Sequence, residues 1–294
     1  MAKLILHVKQ GKNIHFTMMF IIFALFFSCK DKNNLMVIIA GSTSVQPYAE
    51  VLAEEYMHLY PESEIDIQGG GSSAGITAAI SGTADIGMSS RSLKDSEREK
   101  LAFAVEIAKD GLAIIVHPDN PIANLTLEQI QKIYTGEISD WNELAVNPRG
   151  GAKTKIHIIT REEGSGTRSA FEELVMGQGH DVNPKAIVQD SNGSVRLLVS
   201  EDTCAIGYIS LGLVPPEEGQ KPVKTPGLNG VLALRENVIN GTFSLYRPFL
   251  FISGTEPDGE AKKFIDFIFS EAGRQILLKE GLIPSDRRQG TEDV

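Results

Sequence analysis

"KIHIITREEGSGTRSAFEELVM", residues 155–176, decides how the rest of the chain is read. Lys155–Thr160 carries β-branched residues at strand spacing, and Thr167–Met176 places its apolar residues at helical spacing. Between them lies a polar loop, and the stretch as a whole holds Arg161, Arg168, Glu162, Glu163 and a Gly-Ser-Gly. Alone, it suits three uses: a catalytic loop, a phosphate cradle, or a helix with a good N-cap.

The same order occurs three more times. "MVIIA" (36–40) leads through "GSTS" (41–44) into a helical pattern over 45–60. "EIDIQ" (64–68) leads through "GGGSS" (69–73) into "AGITAAI", and "ADIGM" (84–88) through "SSRS" (89–92) into "LKDSEREKLA" (93–102). Alternating strands and helices imply an α/β fold with mainly parallel sheets, in which ligands sit beyond the carboxyl ends of the strands, where these loops lie. Ser and Thr caps and Gly turns account for any one loop. Four loops on one rim, each with unpaired N–H groups and a helix dipole, suit a small anion. Arg91, Arg161 and Arg168 lie in or beside the loops, and a guanidinium fork matches two oxygens of an oxyanion. Glu162 or Glu163 is expected to hold one arginine in place.

With 294 residues and 42% hydrophobic content, the chain can form two domains with separate cores. Lys3, Lys9 and Lys12 precede an apolar run from Met18 to Phe27, then Ser28-Cys29 and "KDKNN". This reads as an export signal over 1–28, with Cys29 as a lipidated N-terminus and 29–35 as a tether. Without the signal, 25 basic residues face 38 acidic ones, a net charge of about −13, which argues against nucleic acid. Cys204 is then left without a partner and reads as a buried apolar residue. The histidines at 7, 15, 58, 117, 157 and 180 show no metal-ligand spacing, and no P-loop or dinucleotide fingerprint is present. No metal and no cofactor is expected. "GSSAG" (71–75) fits a hydrolase elbow at Ser73, but His180 is the last histidine and no oxyanion loop of the HGGG kind accompanies it.

"GSTSVQP", "GGGSSAGI", "ADIGMSSR", "LTLEQIQKIYTGEISDWNEL", "REEGSGTR", "AIGYIS", "YRP" and "SEAGRQILLKEGLIP" occur in one order. From about Ile38 to Pro284, the chain resembles the PstS-type phosphate-binding proteins of bacterial phosphate ABC transporters, within the type II periplasmic-binding-protein superfamily. The resemblance implies a non-enzymatic, two-lobed α/β protein. Lobe 1 would be 36–116 with 246–294, and lobe 2 would be 117–245, with crossings near Ile115–Pro118 and Leu245–Pro248. The phosphate would lie in the cleft between the lobes. Its contacts would be Thr43, Ser44, Ser72, Ser73, Ser90, Arg91, Arg161, Ser165, Gly166 and Thr167, with Glu163 orienting the arginine. Ser90 departs from well-known members, which carry an Asp there to accept the ligand's proton; the "ADIGxSSR" form also occurs in the family. The resemblance further implies a monomer in the periplasm or on the outer face of the cytoplasmic membrane, lipid-anchored and delivering phosphate to a membrane permease. The rival readings are a binder of sulfate, molybdate or tungstate, a serine hydrolase using Ser73, and a regulatory sensor.

Overall fold

The computed structural model describes residues 35–144, 154–215 and 219–286. The expected export signal (1–28) and Cys29 lie outside the described residues, as does the expected tether apart from Leu35.

The elements run β1 (Met36–Gly41), α1 (Gln46–Leu59), β2 (Glu64–Gly69), α2 (Ser72–Ser81), β3 (Ile86–Ser89), α3 (Asp95–Arg98), β4 (Phe103–Val116), β5 (Asn124–Leu125) and α4 (Leu127–Thr135). They continue with β6 (His157–Arg161), α5 (Gly166–Phe171), β7 (Ile187–Gln189), α6 (Asn192–Glu201), β8 (Ala205–Ser210), β9 (Gly227–Leu228) and α7 (Arg235–Ile239). β10 (Tyr246–Ser253), α8 (Gly259–Ile268), α9 (Glu271–Lys279) and β11 (Ile283–Pro284) complete the described chain. All four expected strand-loop-helix units form. The third helix is much shorter than 93–102, because Asp95–Arg98 buries none of its residues and has no apolar face to extend. α5 runs into a π-helical turn, Glu172–Met176, which ends at Gly177.

One curled sheet carries nine of these strands, in the order β2-β1-β3-β10-β4-β8-β6-β7, with β11 added beside β4. Pairing is parallel at both outer ends, β2-β1-β3 and β8-β6-β7, as loop-crossing helices demand. The centre is antiparallel, unlike the mainly parallel expectation. The reason is connectivity: β4 leaves the first half of the molecule and β10 returns to it, so the two run in opposite directions. Phe103–Gly111 of β4 pairs with β10, and Leu112–Val116 pairs with β8. This exchange at Gly111–Leu112 falls ahead of the expected crossing near Ile115–Pro118.

Separate apolar clusters flank the exchange. Val37, Ile39, Leu52, Tyr56, Phe249, Phe251 and Phe264 pack in one. Leu112, Ile114, Trp141, Phe171, Tyr208 and Phe243 pack in another. Each large side chain so buried contributes roughly 1.5–3 kcal/mol. Gly75 brings α2 onto the sheet edge: a Cβ there would lie 2.6 Å from Ala40 O and 2.7 Å from Met88 O. The start of α2 is thereby held close to the ends of β1 and β3.

Candidate anion site

Arg161 ends β6 and is 1% exposed. Its backbone N–H donates to Tyr208 Oη (3.2 Å), which also pairs with Thr160 Oγ1 (2.8 Å). Burial pushes the Tyr208 hydroxyl up to about 12, so it stays protonated. Phe171 stacks on the Tyr208 ring at 4.1 Å and 3°, which fixes this support from below. Arg168 steadies the strand end from the other side. Its Nη1 donates to Arg161 O (3.1 Å), and its Nε donates to Glu172 Oε1 (2.7 Å), four residues further along the chain.

The Arg161 guanidinium is held along one edge. Nε and Nη2 donate to the two Glu162 carboxylate oxygens at 2.9 Å each. Nη2 also reaches Thr43 Oγ1 (3.1 Å) and Asp190 O (3.0 Å). Among the described residues, the buried Nη1 has no acceptor. A buried cationic donor left in that state is costly, and a guanidinium presented in this way is suited to an anionic ligand.

Hydroxyls from several elements join the loops that carry Thr43 and Arg161. Ser44 Oγ lies 2.7 Å from Thr167 Oγ1, joining the first loop to α5. Ser42 Oγ donates to Ser90 Oγ (2.8 Å), and Ser72 Oγ accepts from Ser90 N–H (3.0 Å). Ser165 caps α5 by accepting from Arg168 N–H. Gly166 is pressed against this group: a Cβ there would lie 2.1 Å from Ser72 Oγ and 2.5 Å from Ser90 Oγ. The loops after β1, β3 and β6 and the starts of α2, α5 and α6 therefore meet at one place.

Residues 30–272 match the family model described as the PBP superfamily domain. The chain is 32% identical over 265 residues to the phosphate-binding protein PstS of Pseudomonas aeruginosa, covering 83% of this chain and 81% of that one. It belongs to the PBP superfamily, among the PstS-type phosphate-binding proteins. A crystal structure from Clostridium perfringens, with bound phosphate and named for a phosphate ABC transporter substrate-binding protein, is 42% identical at TM-score 0.79. That alignment covers 85% of this chain and 100% of the other. An ABC-type phosphate transport receptor from Vibrio cholerae is 39% identical at TM-score 0.69, with the same coverage.

Within this PstS-type fold, Thr43, Ser44, Ser72, Ser90, Arg161, Gly166 and Thr167 are brought together as described. Ser165 is buried beside them and spends its hydroxyl as a cap acceptor. Ser73 lies at the rim; its N–H donates to Gly164 O (3.1 Å), and its Oγ is 3.5 Å from Arg91 Nη2. Arg91 turns to a different partner, donating to both Glu97 oxygens at 2.8 Å. Of the two adjacent acids, Glu162 holds Arg161, whereas Glu163, which the resemblance makes the orienting acid, is exposed and bears on Arg168 through its charge. The loop's turn at Gly164 sends the second of the two adjacent acids outward.

Several buried groups beside the site were not anticipated. Ser42 lies in the first loop, and Asn192 begins α6 with its Nδ2 2.9 Å from Ser44 Oγ. Arg247 of the "YRP" motif pairs with Asp110, both at 2% exposure or less, and its Nη1 reaches Ser90 O at 3.4 Å. Burial raises the Asp110 carboxyl, opposed by the Arg247 charge and the Ser210 hydroxyl. Only the residue types of "DSN" and "YRP" pointed toward them, and both strings also read as turn and strand.

Proposed function

We propose that this protein captures inorganic phosphate outside the cytoplasm and delivers it to the permease of an ABC transporter. The observation that carries the reading is the buried Arg161, clamped by Glu162 with Nη1 still available, beside hydroxyls from loops far apart in sequence. The names of the P. aeruginosa, C. perfringens and V. cholerae proteins support the same ligand. No covalent step is assigned; this is a substrate-binding protein and not an enzyme.

The proposed contacts are Arg161 Nη1, the hydroxyls of Thr43, Ser44, Ser72, Ser90 and Thr167, and the backbone N–H groups of Gly166 and Thr167. Ser165 is buried beside these contacts, and Ser73 and Arg91 lie next to them. The lobes would be 36–116 with 246–294, and 117–245, closing on the anion and replacing its hydration shell with fixed donors. The two apolar clusters on either side of the β4 partner exchange support two lobes, although Leu112, Ile114 and Val116 pack in the second cluster. Export through a signal over 1–28, a lipid on Cys29 and a monomer outside the cytoplasmic membrane belong to the same proposal. No helix among the described residues is long and apolar enough to cross a membrane.

Micromolar capture needs about −8 kcal/mol, which a handful of charge-assisted bonds at roughly 1.5–3 kcal/mol each supplies after desolvation. Titration calorimetry with inorganic phosphate tests the reading: the parent binds at micromolar concentration or tighter, and Arg161→Ala reduces binding at least a thousandfold, to about millimolar. An Arg161→Ala protein that binds as tightly as the parent overturns the site assignment.

A further inference from the structure

We propose that Asn192 is a positioning residue of this site that fixes Ser44 as a hydrogen-bond donor toward the anion. The inference rests on the phosphate reading above. Asn192 is 3% exposed at the start of α6. Its Oδ1 accepts from Ser210 N–H at 3.2 Å. Only the amide oxygen can take that bond, so the amide group is oriented and Nδ2 faces Ser44 Oγ at 2.9 Å. Ser44 Oγ is thereby an acceptor on that side. Its single proton must point away, toward Thr167 Oγ1 or an anion oxygen held beside it.

A second chain of hydroxyls is directed in the same way. Ser44 N–H donates to Ser42 Oγ (3.2 Å), and Ser42 Oγ donates to Ser90 Oγ (2.8 Å). Ser210 is held from behind, since its Oγ donates to Asp110 Oδ1 (2.8 Å). Asp110 Oδ2 in turn accepts from Arg247 Nε and Nη2 at 3.2 and 3.1 Å, and Arg247 Nη1 reaches Ser90 O. The chain Ser44, Asn192, Ser210, Asp110, Arg247, Ser90, Ser42 thus closes on itself, and each member is at most 3% exposed. Such a ring lets few of its members turn without leaving a buried polar group unpaired. It sets the polarity of Ser44 before any ligand arrives.

The test is Asn192→Asp, which keeps the size and the acceptor for Ser210 N–H but places an acceptor against Ser44. The Ser44 proton then turns inward. Calorimetry with inorganic phosphate compares parent and variant, as full chains, at pH 8 and pH 5. At pH 8 the variant is expected to bind about a hundredfold more weakly, the scale of a lost charge-assisted donor plus an added negative charge. At pH 5 the introduced carboxyl gains protons and donor capacity, and the deficit relative to the parent is expected to shrink about tenfold. The other charged groups bearing on position 192 are Asp110 and Arg247 through Ser210, Arg161 through Asp190 O, and Asp190 and Arg196 along the chain. The parent titration controls for all of them, and for Tyr48, which contacts Ser210 Oγ.

Asn192→Ala provides an independent readout through a double-mutant cycle: about tenfold weaker binding in the parent background and under about twofold in Ser44→Ala. Asn192→Asp binding within threefold of the parent at pH 8, a deficit equal at both pH values, or additive effects of Ser44→Ala and Asn192→Ala would each overturn the inference alone. A parent that fails to bind phosphate overturns the phosphate reading itself.

Discussion

Arg161 and Glu162 are consecutive in the chain yet face each other through a two-point fork, with Nε and Nη2 each 2.9 Å from a carboxylate oxygen. A lysine keeps the charge and loses the planar fork, so Glu162 can no longer hold it at two points with a further donor fixed in direction toward a ligand. Arg161→Lys is therefore expected to weaken phosphate binding at least about a hundredfold, and Glu162→Gln about tenfold. Calorimetry on both, with Glu163→Gln close to the parent, would separate the orienting acid from its exposed neighbour.

Gly166 tolerates no side chain. Its Cβ position lies 2.1 Å from Ser72 Oγ, 2.5 Å from Ser90 Oγ and 2.9 Å from Ser72 Cβ. Gly166→Ala must rotate both hydroxyls out of their pairing and push α2 away from α5. The expected result is a loss of phosphate affinity of about tenfold or more, while the melting temperature falls by only a few degrees. An unchanged affinity would remove Ser72 and Ser90 from the set of contacts.

The pair Arg91–Glu97 serves stability. The Arg91 guanidinium holds the Glu97 carboxyl below the usual carboxylate range, against the opposing effect of partial burial. A carboxyl with a depressed folded pKa adds stability above its unfolded pKa and loses it as pH falls through the folded value. Glu97→Gln should lower the melting temperature by about 2–4 °C at pH 7, and the gap from the parent should close progressively below about pH 4. A pH-independent gap measured by calorimetric melting would assign the loss to packing.

Under the proposed phosphate reading, selectivity is expected to turn on Ser90. A hydroxyl can donate or accept, so it does not exact from fully deprotonated sulfate the penalty that a fixed carboxylate would. Sulfate is expected to compete measurably with phosphate at pH 7.5, and Ser90→Asp should raise the phosphate-to-sulfate ratio at least about tenfold. Displacement of bound phosphate by each anion would measure both ratios. A parent that ignores millimolar sulfate would point to a different acceptor for the phosphate proton.

The loops that build the site were legible because Ser, Thr and Gly after a β-branched run leave few alternatives to a strand feeding a helix start. Arg161 was legible because it ends such a strand. The antiparallel centre was not, since the pairing of β10 with β3 and β4 joins segments far apart in the chain, and no local pattern records it. Glu162 and Glu163 are chemically identical neighbours, and only the backbone path through Gly164 decides which faces the guanidinium. Asn192 and Asp110 carry no local signal for a related reason: an Asn at a helix start and an Asp before a Gly are ordinary turn residues until their partners are known.

The place of β10 in the sheet also orders the making of the protein. β10 lies between β3 and β4, so no direct pairing joins β1–β3 to β4 until residues 246–253 have been synthesised. Through most of its synthesis the first half of the chain lacks its central strand, and its strand edges remain unpaired. The sheet that joins the two halves of the molecule is therefore completed late, by a strand from the last fifth of the chain.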